Sequence, residues 1–288
     1  MERQCKRSWL KKIREAFRLA LVLSLLCGTV GQAFPDGRPA SGREGQNVGP
    51  AQTMREAKSK LQQGLNTWNP VLLEEARNLF IRCLMQSDKG NAVFLYYVGL
   101  VDYRLAIFSF SGQDTAAAER WTTEGEQYLE KAMTADPAFA EAFALYGYLL
   151  GMELALHPEK AMELGMKSFG SFDQALSIDP SNPRIHLLKG VYLLYVPEAY
   201  GGGPDSALES LLKAVGFFEK ERVEDPMKPD WGKDEAYTYL GIIYKRKGDP
   251  AKAREMLVKA LSLNPESGQA KTELAALDRK MPGENSLT

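Results

Sequence analysis

The 288-residue sequence predicts an all-α fold, a solenoid of about five helix hairpins followed by a C-terminal capping helix. From residue 53 onward, apolar residues recur with a helical period almost without a break. Small residues recur in pairs, one on each of two successive helices. Alternating β-branched runs and Asn-Gly hairpin signals are missing. These observations place a helical repeat domain at residues 53–281 and a disordered tail at residues 282–288.

The N-terminal 33 residues have the layout of a secretory signal peptide. Seven basic residues against two acidic ones accompany an apolar run at residues 19–30, and the small residues Gly31 and Ala33 supply a cleavage site. The apolar run is shorter than the roughly 20 residues of a membrane span. We therefore expect a periplasmic or secreted protein whose mature chain has no transmembrane span, and an uncleaved N-terminal anchor is the alternative.

A linker and the first hairpin follow the signal peptide. Residues 34–52 are rich in Gly, Pro and polar residues, which predicts a flexible linker. Gly64 and Ala76 then stand twelve residues apart, as a small residue on each of two packed helices. Cys83 occupies a second small position in this hairpin, so we expect a buried, inert thiol.

The three middle hairpins have wider spacing between their small residues. The first helices carry Gly99, Gly147 and Gly190, and the last of these pairs with Ala207. The spacing grows from 12 residues to 26, 21 and 17 residues. These hairpins are therefore expected to have longer arms or inserted loops.

The last hairpin, residues 236–265, is the clearest. Asp249 and Pro250 suit the cap and first position of its second helix. A further set of residues has the spacing of a known repeat: Tyr237, Leu240, Gly241 and Tyr244 on the first helix, Ala253, Leu257 and Ala260 on the second, and Pro265 at the end. In this pattern the hairpin resembles a tetratricopeptide repeat. The resemblance implies a solenoid whose first helices line a concave face that binds proteins or peptides. The sequence after Pro265 fits the solvent-facing cap that such arrays require.

A glycine-rich loop, residues 196–214, raises the question of an anion site. The P-loop needs Lys and Ser or Thr after its glycines, whereas Pro204, Asp205 and Ser206 follow here. We therefore favour a turn with positive φ over a phosphate-binding loop.

The same glycine-rich loop resembles that of secreted bacterial tetratricopeptide proteins and of the T component of tripartite periplasmic transporters. Residues 229–236 also resemble a segment of the first of these two groups, the secreted bacterial tetratricopeptide proteins. That resemblance implies that Trp231 packs on the Tyr200 loop and ties a linker, residues 215–233, to the repeats.

The sequence contains no convincing catalytic or cofactor site. The chain beyond the signal peptide is mildly acidic, which argues against nucleic-acid binding. Of the two histidines, His157 suits a turn and His186 a helix core, and no cluster has zinc spacing. Alternating charges at residues 217–226 indicate a solvated helix face. We predict a protein that is not an enzyme and has no cofactor or metal.

Inner-face positions can be assigned from the first-helix glycines, because residues three before, one after and four after each glycine share one helix face. In the outer hairpins these include Leu61, Leu65, Trp68, Thr238, Ile242 and Lys245. In the middle hairpins our candidate binding residues are Tyr96, Leu100, Tyr103, Tyr148, Val191 and Leu194. Their apolar character suits either a binding groove or ordinary core.

Two functions fit this sequence. The first is a secreted or periplasmic scaffold that binds a protein or peptide through an apolar concave face. The alternative is a soluble periplasmic accessory of a transport system that binds a small apolar ligand. An open groove favours the first function and a closed tunnel favours the second.

Overall fold

The computed structural model of the chain describes residues 49–87 and 91–279. Within these residues it has eleven α-helices, two short 3₁₀ turns and no strand, so the predicted all-α class is confirmed. The helices are α1 Pro50–Thr67, α2 Pro70–Met85, α3 Ala92–Ser111, α4 Thr115–Ala135, α5 Ala140–Leu156, α6 Ala161–Ile178, α7 Pro183–Leu193, α8 Pro204–Phe218, α9 Lys233–Arg246, α10 Pro250–Leu263 and α11 Gly268–Arg279. The predicted signal peptide and tail lie outside the described residues.

The helices form five successive hairpins, from α1–α2 to α9–α10, and α11 packs on the last of them. Each hairpin also packs on the next, as α2 on α3 and α4 on α5. This is the predicted solenoid with a C-terminal capping helix. However, α11 also contacts α1, so the cap is not purely solvent-facing.

Local sequence signals explain where the helices begin. Five helices start with proline, which has no N–H to leave unpaired at the first helical position. Side-chain oxygens accept hydrogen bonds from the first turn at Asn69, Asn91, Asp114, Asn182 and Asp249. The cap predicted at Asp249 is therefore confirmed.

Small residues allow the two helices of a hairpin to approach closely. A Cβ placed on Gly241 would lie 2.6 Å from Leu257 Cγ and 3.2 Å from the Ala253 carbonyl oxygen. A Cβ on Gly190 would similarly meet Leu211 at 2.8 Å and the Ala207 carbonyl oxygen at 3.3 Å. The small partners in the second helices are fully buried, namely Ala76, Ala207, Ala253 and Ala260. In the first hairpin Gly64 faces Leu73, at 2.7 Å, rather than Ala76.

The last unit is completed by a large side chain and a terminal turn. Tyr244 is half-buried against the core, and α10 ends at Leu263, shortly before Pro265. The ammonium group of Lys252 lies 5.5 Å from the centre of the Tyr244 ring.

The wide spacings in the middle hairpins have two structural origins. The second hairpin has long arms, with 20 residues in α3 and 21 in α4. The third and fourth hairpins contain 3₁₀ turns, Pro158–Lys160 and Glu198–Tyr200, between their helices. The expectation of longer arms or inserted loops is therefore confirmed.

The glycine-rich loop is a structural turn. Gly201 and Gly203 have φ of 82° and 96°, which residues other than glycine rarely adopt. The N–H groups of Gly201, Gly202 and Gly203 donate to the carbonyl oxygens of Glu198, Pro197 and Leu193. Because these donors are used within the turn, they are not available to an anion, in agreement with the sequence prediction.

Three predicted ranges need correction. Helix α1 begins at Pro50, so residues 50–52 of the predicted linker are helical. Helix α8 ends at Phe218, so the predicted charged helix face at residues 217–226 is wrong beyond that residue. The nonhelical segment between α8 and α9 is residues 219–232, not 215–233. Two prolines, Pro226 and Pro229, disfavour a helix there.

The core is continuous through the middle first helices. Helix α3 is long and apolar enough to cross a membrane, but 78% of its most apolar stretch is buried inside the protein, as expected of a core helix.

The cysteine and the two histidines can be compared with their predicted roles. Cys83 is fully buried, and burial raises the pKa of its thiol, so the predicted inert role fits. His186 is buried as predicted and stacks on Phe217, whereas His157 is half-buried beside Glu119.

Candidate functional site

Residues 219–232, here called the strap, cross the inner face of the helix stack. The ammonium group of Lys58 on α1 donates to the Lys228 carbonyl oxygen at 2.7 Å. The Tyr97 hydroxyl on α3 donates to the same oxygen at 3.3 Å. The indole N–H of Trp231 donates to the Tyr96 hydroxyl at 3.0 Å. The strap therefore connects the last hairpins to the first two.

The position of Trp231 differs from the one that the sequence resemblance implied. Its hydrogen bond is to Tyr96 in the second hairpin, whereas the Tyr200 loop lies in the fourth. Tyr200 itself is 56% exposed. The tryptophan thus anchors the strap to α3 and covers part of the inner face.

A buried arginine fixes the other end of the strap. Arg184 is almost fully buried, and its two terminal nitrogens donate to Glu221 at 2.6 and 3.1 Å. Glu141 lies 3.6 Å from the same guanidinium group. Such a paired arrangement is strongly destabilised when one charged partner is removed, because the other charge stays buried.

The two ends of the stack meet at α1 and α11. The side-chain amide of Asn264 donates to Asn66 at 2.9 Å and to Asp234 at 2.7 Å. A Cβ on Gly268 would lie 2.7 Å from the Asn66 carbonyl oxygen. This contact encloses the inner face between the first and last helices.

A central cavity of about 590 Å³ lies inside this enclosure. It is lined by α1, α3, α9 and α11, together with Tyr148 of α5 and Tyr195 just after α7. Its exposed lining residues, Gln62, Thr67, Trp68 and Arg246, mark the mouth. The apolar and aromatic part of the wall comprises Leu65, Trp68, Ile107, Tyr148, Tyr195, Tyr239, Ile242 and Ala276.

A second cavity of about 250 Å³ lies beneath the strap. It is bounded by α1, α3 and the strap residues Asp230 and Trp231. The two cavities share Gln62, Leu65 and Arg104 on their walls. Arg104 therefore stands at the junction of the two spaces.

Arg104 is held in place by aromatic rings and one carboxylate. Its guanidinium lies 4.7 Å from the Tyr103 ring centre and 5.2 Å from that of Trp231. One terminal nitrogen donates to Glu235 at 2.6 Å. Burial lowers the pKa of Arg104, but the Glu235 carboxylate outweighs this effect and the pKa is raised, so the group stays charged. Its buried Nε–H has no hydrogen-bond partner among the described residues.

The remaining charges of the central cavity are balanced. Lys245 forms an ion pair with Glu273 of α11, and Asp234 accepts from Asn264. Arg246 lies over the Tyr195 ring at 5.7 Å. The wall thus carries three basic and three acidic side chains.

The tyrosines of the cavity wall are neutral hydroxyl groups at ordinary pH. Burial raises the pKa of Tyr195 and raises those of Tyr148 and Tyr239 well above their usual value. They offer flat apolar surface together with hydrogen-bonding groups.

The predicted binding residues fall into two groups. Tyr148 lines the central cavity and Leu100 lines the smaller one. The others are buried in the core and are not part of either wall: Tyr96, Tyr103, Val191 and Leu194. Burial favours the core alternative for these four, and their binding role stays a prediction.

The inner-face positions that we assigned from the first-helix glycines agree best with the structure in the first and last hairpins. Leu65, Trp68, Ile242 and Lys245 line the central cavity, as their positions suggested. Arg104, Tyr195, Tyr239 and the α11 residues were missed. Arg104 and Tyr239 lie outside the three positions used, and the repeat pattern contains no signal that α11 returns to α1.

No metal site was found in the described ranges. Residues 49–87 and 91–279 contain no group of three His, Cys, Asp or Glu side chains placed to hold a metal ion.

Comparison with known proteins identifies one repeat and the fold. Residues 234–267 match the family model of the tetratricopeptide repeat, which is the hairpin that the sequence marked as clearest. The HusA haemophore from Porphyromonas gingivalis has a similar structure, with a TM-score of 0.58 and 24% identity over 70% of this chain and 96% of that one. A thermophilic tetratricopeptide protein of Thermus thermophilus gives a TM-score of 0.50 and 16% identity over 77% and 99%. No curated protein sequence matches this chain.

Proposed function

We propose that this chain is an exported, non-enzymatic scaffold that binds a protein or extended peptide at the mouth of the central cavity. Tetratricopeptide folds generally bind protein partners and generally act as scaffolds rather than enzymes. The observation that supports this site is the partly covered inner face. The strap occupies the surface of α1 and α3, whereas the cavity between α1, α9 and α11 reaches the surface at Gln62, Trp68 and Arg246.

Site-specific photo-crosslinking tests the proposed surface. We expect a photoreactive benzoylphenylalanine at Gln62 to form a discrete crosslinked species in the producing cell, because Gln62 is exposed at the mouth. Val258 on α10 is 51% exposed and does not line the cavity, so it is the matched control. The proposal is contradicted when Gln62 gives no adduct or when both positions give the same one.

Export is tested by a reporter fusion. We expect residues 1–40 to direct to the periplasm or medium a reporter that is active only outside the cytoplasm, and cleavage to leave Phe34 as the first residue. The reason is the basic, apolar and small-residue order of residues 1–33. Leu25→Arg interrupts the apolar run and is expected to abolish export. Cytoplasmic retention of the unaltered fusion would disprove the location.

A second candidate function is binding of a small apolar ligand by a soluble periplasmic accessory of a transport system. The contact between Asn264 and Asn66 favours it, because this contact joins the two ends of the stack and makes the concave face a partly closed cavity rather than a fully open groove. About 590 Å³ lies within the range of small-molecule sites. The likeness to the HusA haemophore shows the fold alone, so the cavity itself is the support for this candidate.

A further inference from the structure

We infer that the central cavity binds an amphipathic molecule with an aromatic or branched apolar body and a single acidic group, and that Arg104 receives the acidic group. This inference rests on the second candidate function and gives the ligand a chemical class.

The shape and lining of the cavity define the apolar part of the ligand. Tyr148, Tyr195 and Tyr239 come from three different hairpins. Together with Ile107 and Ile242 they line the central cavity. Aromatic rings favour a flat or aromatic ligand, because offset and edge-to-face contacts add to the burial of apolar area. The volume suits a molecule of drug-like size.

Arg104 defines the polar end of the ligand. The residue is only 7% exposed, yet it lies on the walls of both cavities and its Nε–H is without a partner among the described residues. A buried donor without a partner destabilises the folded protein, and an acceptor oxygen from a ligand removes that penalty. Hydrogen bonds to charged groups are the strongest of this kind. Glu235 occupies one terminal nitrogen of the guanidinium group, and no described residue accepts from the Nε–H.

The charge balance of the wall disfavours a ligand with many acidic groups. Lys245 already pairs with Glu273, and Asp234 already accepts from Asn264. A polyanion would place uncompensated charge beside Glu235, Asp234 and Glu273, at a large desolvation cost. A single acidic group can instead use Arg104 without displacing the other pairs.

Two fluorescent probes of nearly equal shape test the inference on purified protein. One is 1-anilinonaphthalene-8-sulfonate, whose sulfonate stands in for the acidic group, and the other is N-phenyl-1-naphthylamine, which lacks it. We expect one sulfonate probe to bind per chain. The double variant Arg104→Gln, Glu235→Gln removes both charges together, so that no buried charge is left alone. It is expected to weaken the sulfonate probe about tenfold and the neutral probe less than about threefold.

A cavity-filling variant identifies where the probes bind. Ala276 of α11 is half-buried on the wall of the central cavity, so Ala276→Trp is expected to block both probes while the circular-dichroism melt stays cooperative. Equal weakening of both probes in the double variant would overturn the role of Arg104. Binding that Ala276→Trp leaves intact, or no binding to the folded protein, would overturn the site. The crosslinking test at Gln62 measures protein binding and not probe binding. Failure of the ligand inference can therefore be distinguished from failure of the proposed scaffold function.

Discussion

We expect Tyr103→Ala to lower the free energy of unfolding by about 3–5 kcal/mol, the usual cost of removing a large buried side chain. Tyr103 is 2% exposed, and its ring meets that of Tyr148 edge-on at 4.9 Å between centres. The guanidinium of Arg104 lies 4.7 Å from the centre of the Tyr103 ring. Removal of the ring therefore leaves a cavity and also frees the arginine that separates the two natural cavities. Urea denaturation measures the loss.

The conservative change Tyr103→Phe is the matched control. It keeps the ring and removes only the hydroxyl group, whose burial raises the pKa of Tyr103 to about 12. We expect it to cost about 0.5–1.5 kcal/mol, the typical value of one hydrogen bond. A small loss of stability for Tyr103→Ala, together with lost capture of a partner or probe, would contradict the core placement and support the groove role predicted from sequence.

Gly241→Leu is expected to destabilise the last hairpin by roughly 2–4 kcal/mol through overpacking. The new Cβ alone would lie 2.6 Å from Leu257 Cγ and 3.2 Å from the Ala253 carbonyl oxygen, so α9 and α10 would have to separate. Equilibrium denaturation reports the change in midpoint. An unchanged midpoint would show that these two helices do not pack through Gly241.

Two other glycines provide comparison variants for Gly241→Leu. Gly216 lies in α8 and a Cβ there would meet nothing within 4 Å, so Gly216→Leu is expected to be neutral or stabilising by about 0.5–1 kcal/mol through helix propensity. A Cβ on Gly202 would lie 2.1 Å from the Val196 carbonyl oxygen. Gly202→Leu is therefore expected to cost about as much as Gly241→Leu, because the turn is locked rather than mobile.

The hairpins could be predicted from sequence because their packing is local. Gly241 and Ala253 are twelve residues apart, and the approach of two antiparallel helices follows from that spacing and a short turn. The same reasoning located Cys83 in the core and Asp249 at a helix cap. It also placed Leu65, Trp68 and Ile242 on the inner face.

The candidate site could not be predicted in the same way because its contacts are distant in sequence. Trp231 and Tyr96 are separated by 135 residues, and Asn264 and Asn66 by 198 residues. Such contacts depend on the accumulated turn of the whole stack, to which every inter-hairpin angle contributes. The end of α8 was missed for a related reason. Glu221 has a place in the alternating charge pattern, yet it pairs with the buried Arg184 of another helix.

The contact between α1 and α11 also changes how this repeat domain unfolds. In an open array each repeat touches only its neighbours, so stability is a sum of nearest-neighbour terms and unfolding can begin at a free end. Here the first and last helices share an interface at Asn66, Asn264 and Gly268, and the strap links the last hairpins to Tyr96. Loss of α11 exposes α1 as well, so we expect the five hairpins to unfold more cooperatively than an open array of the same length.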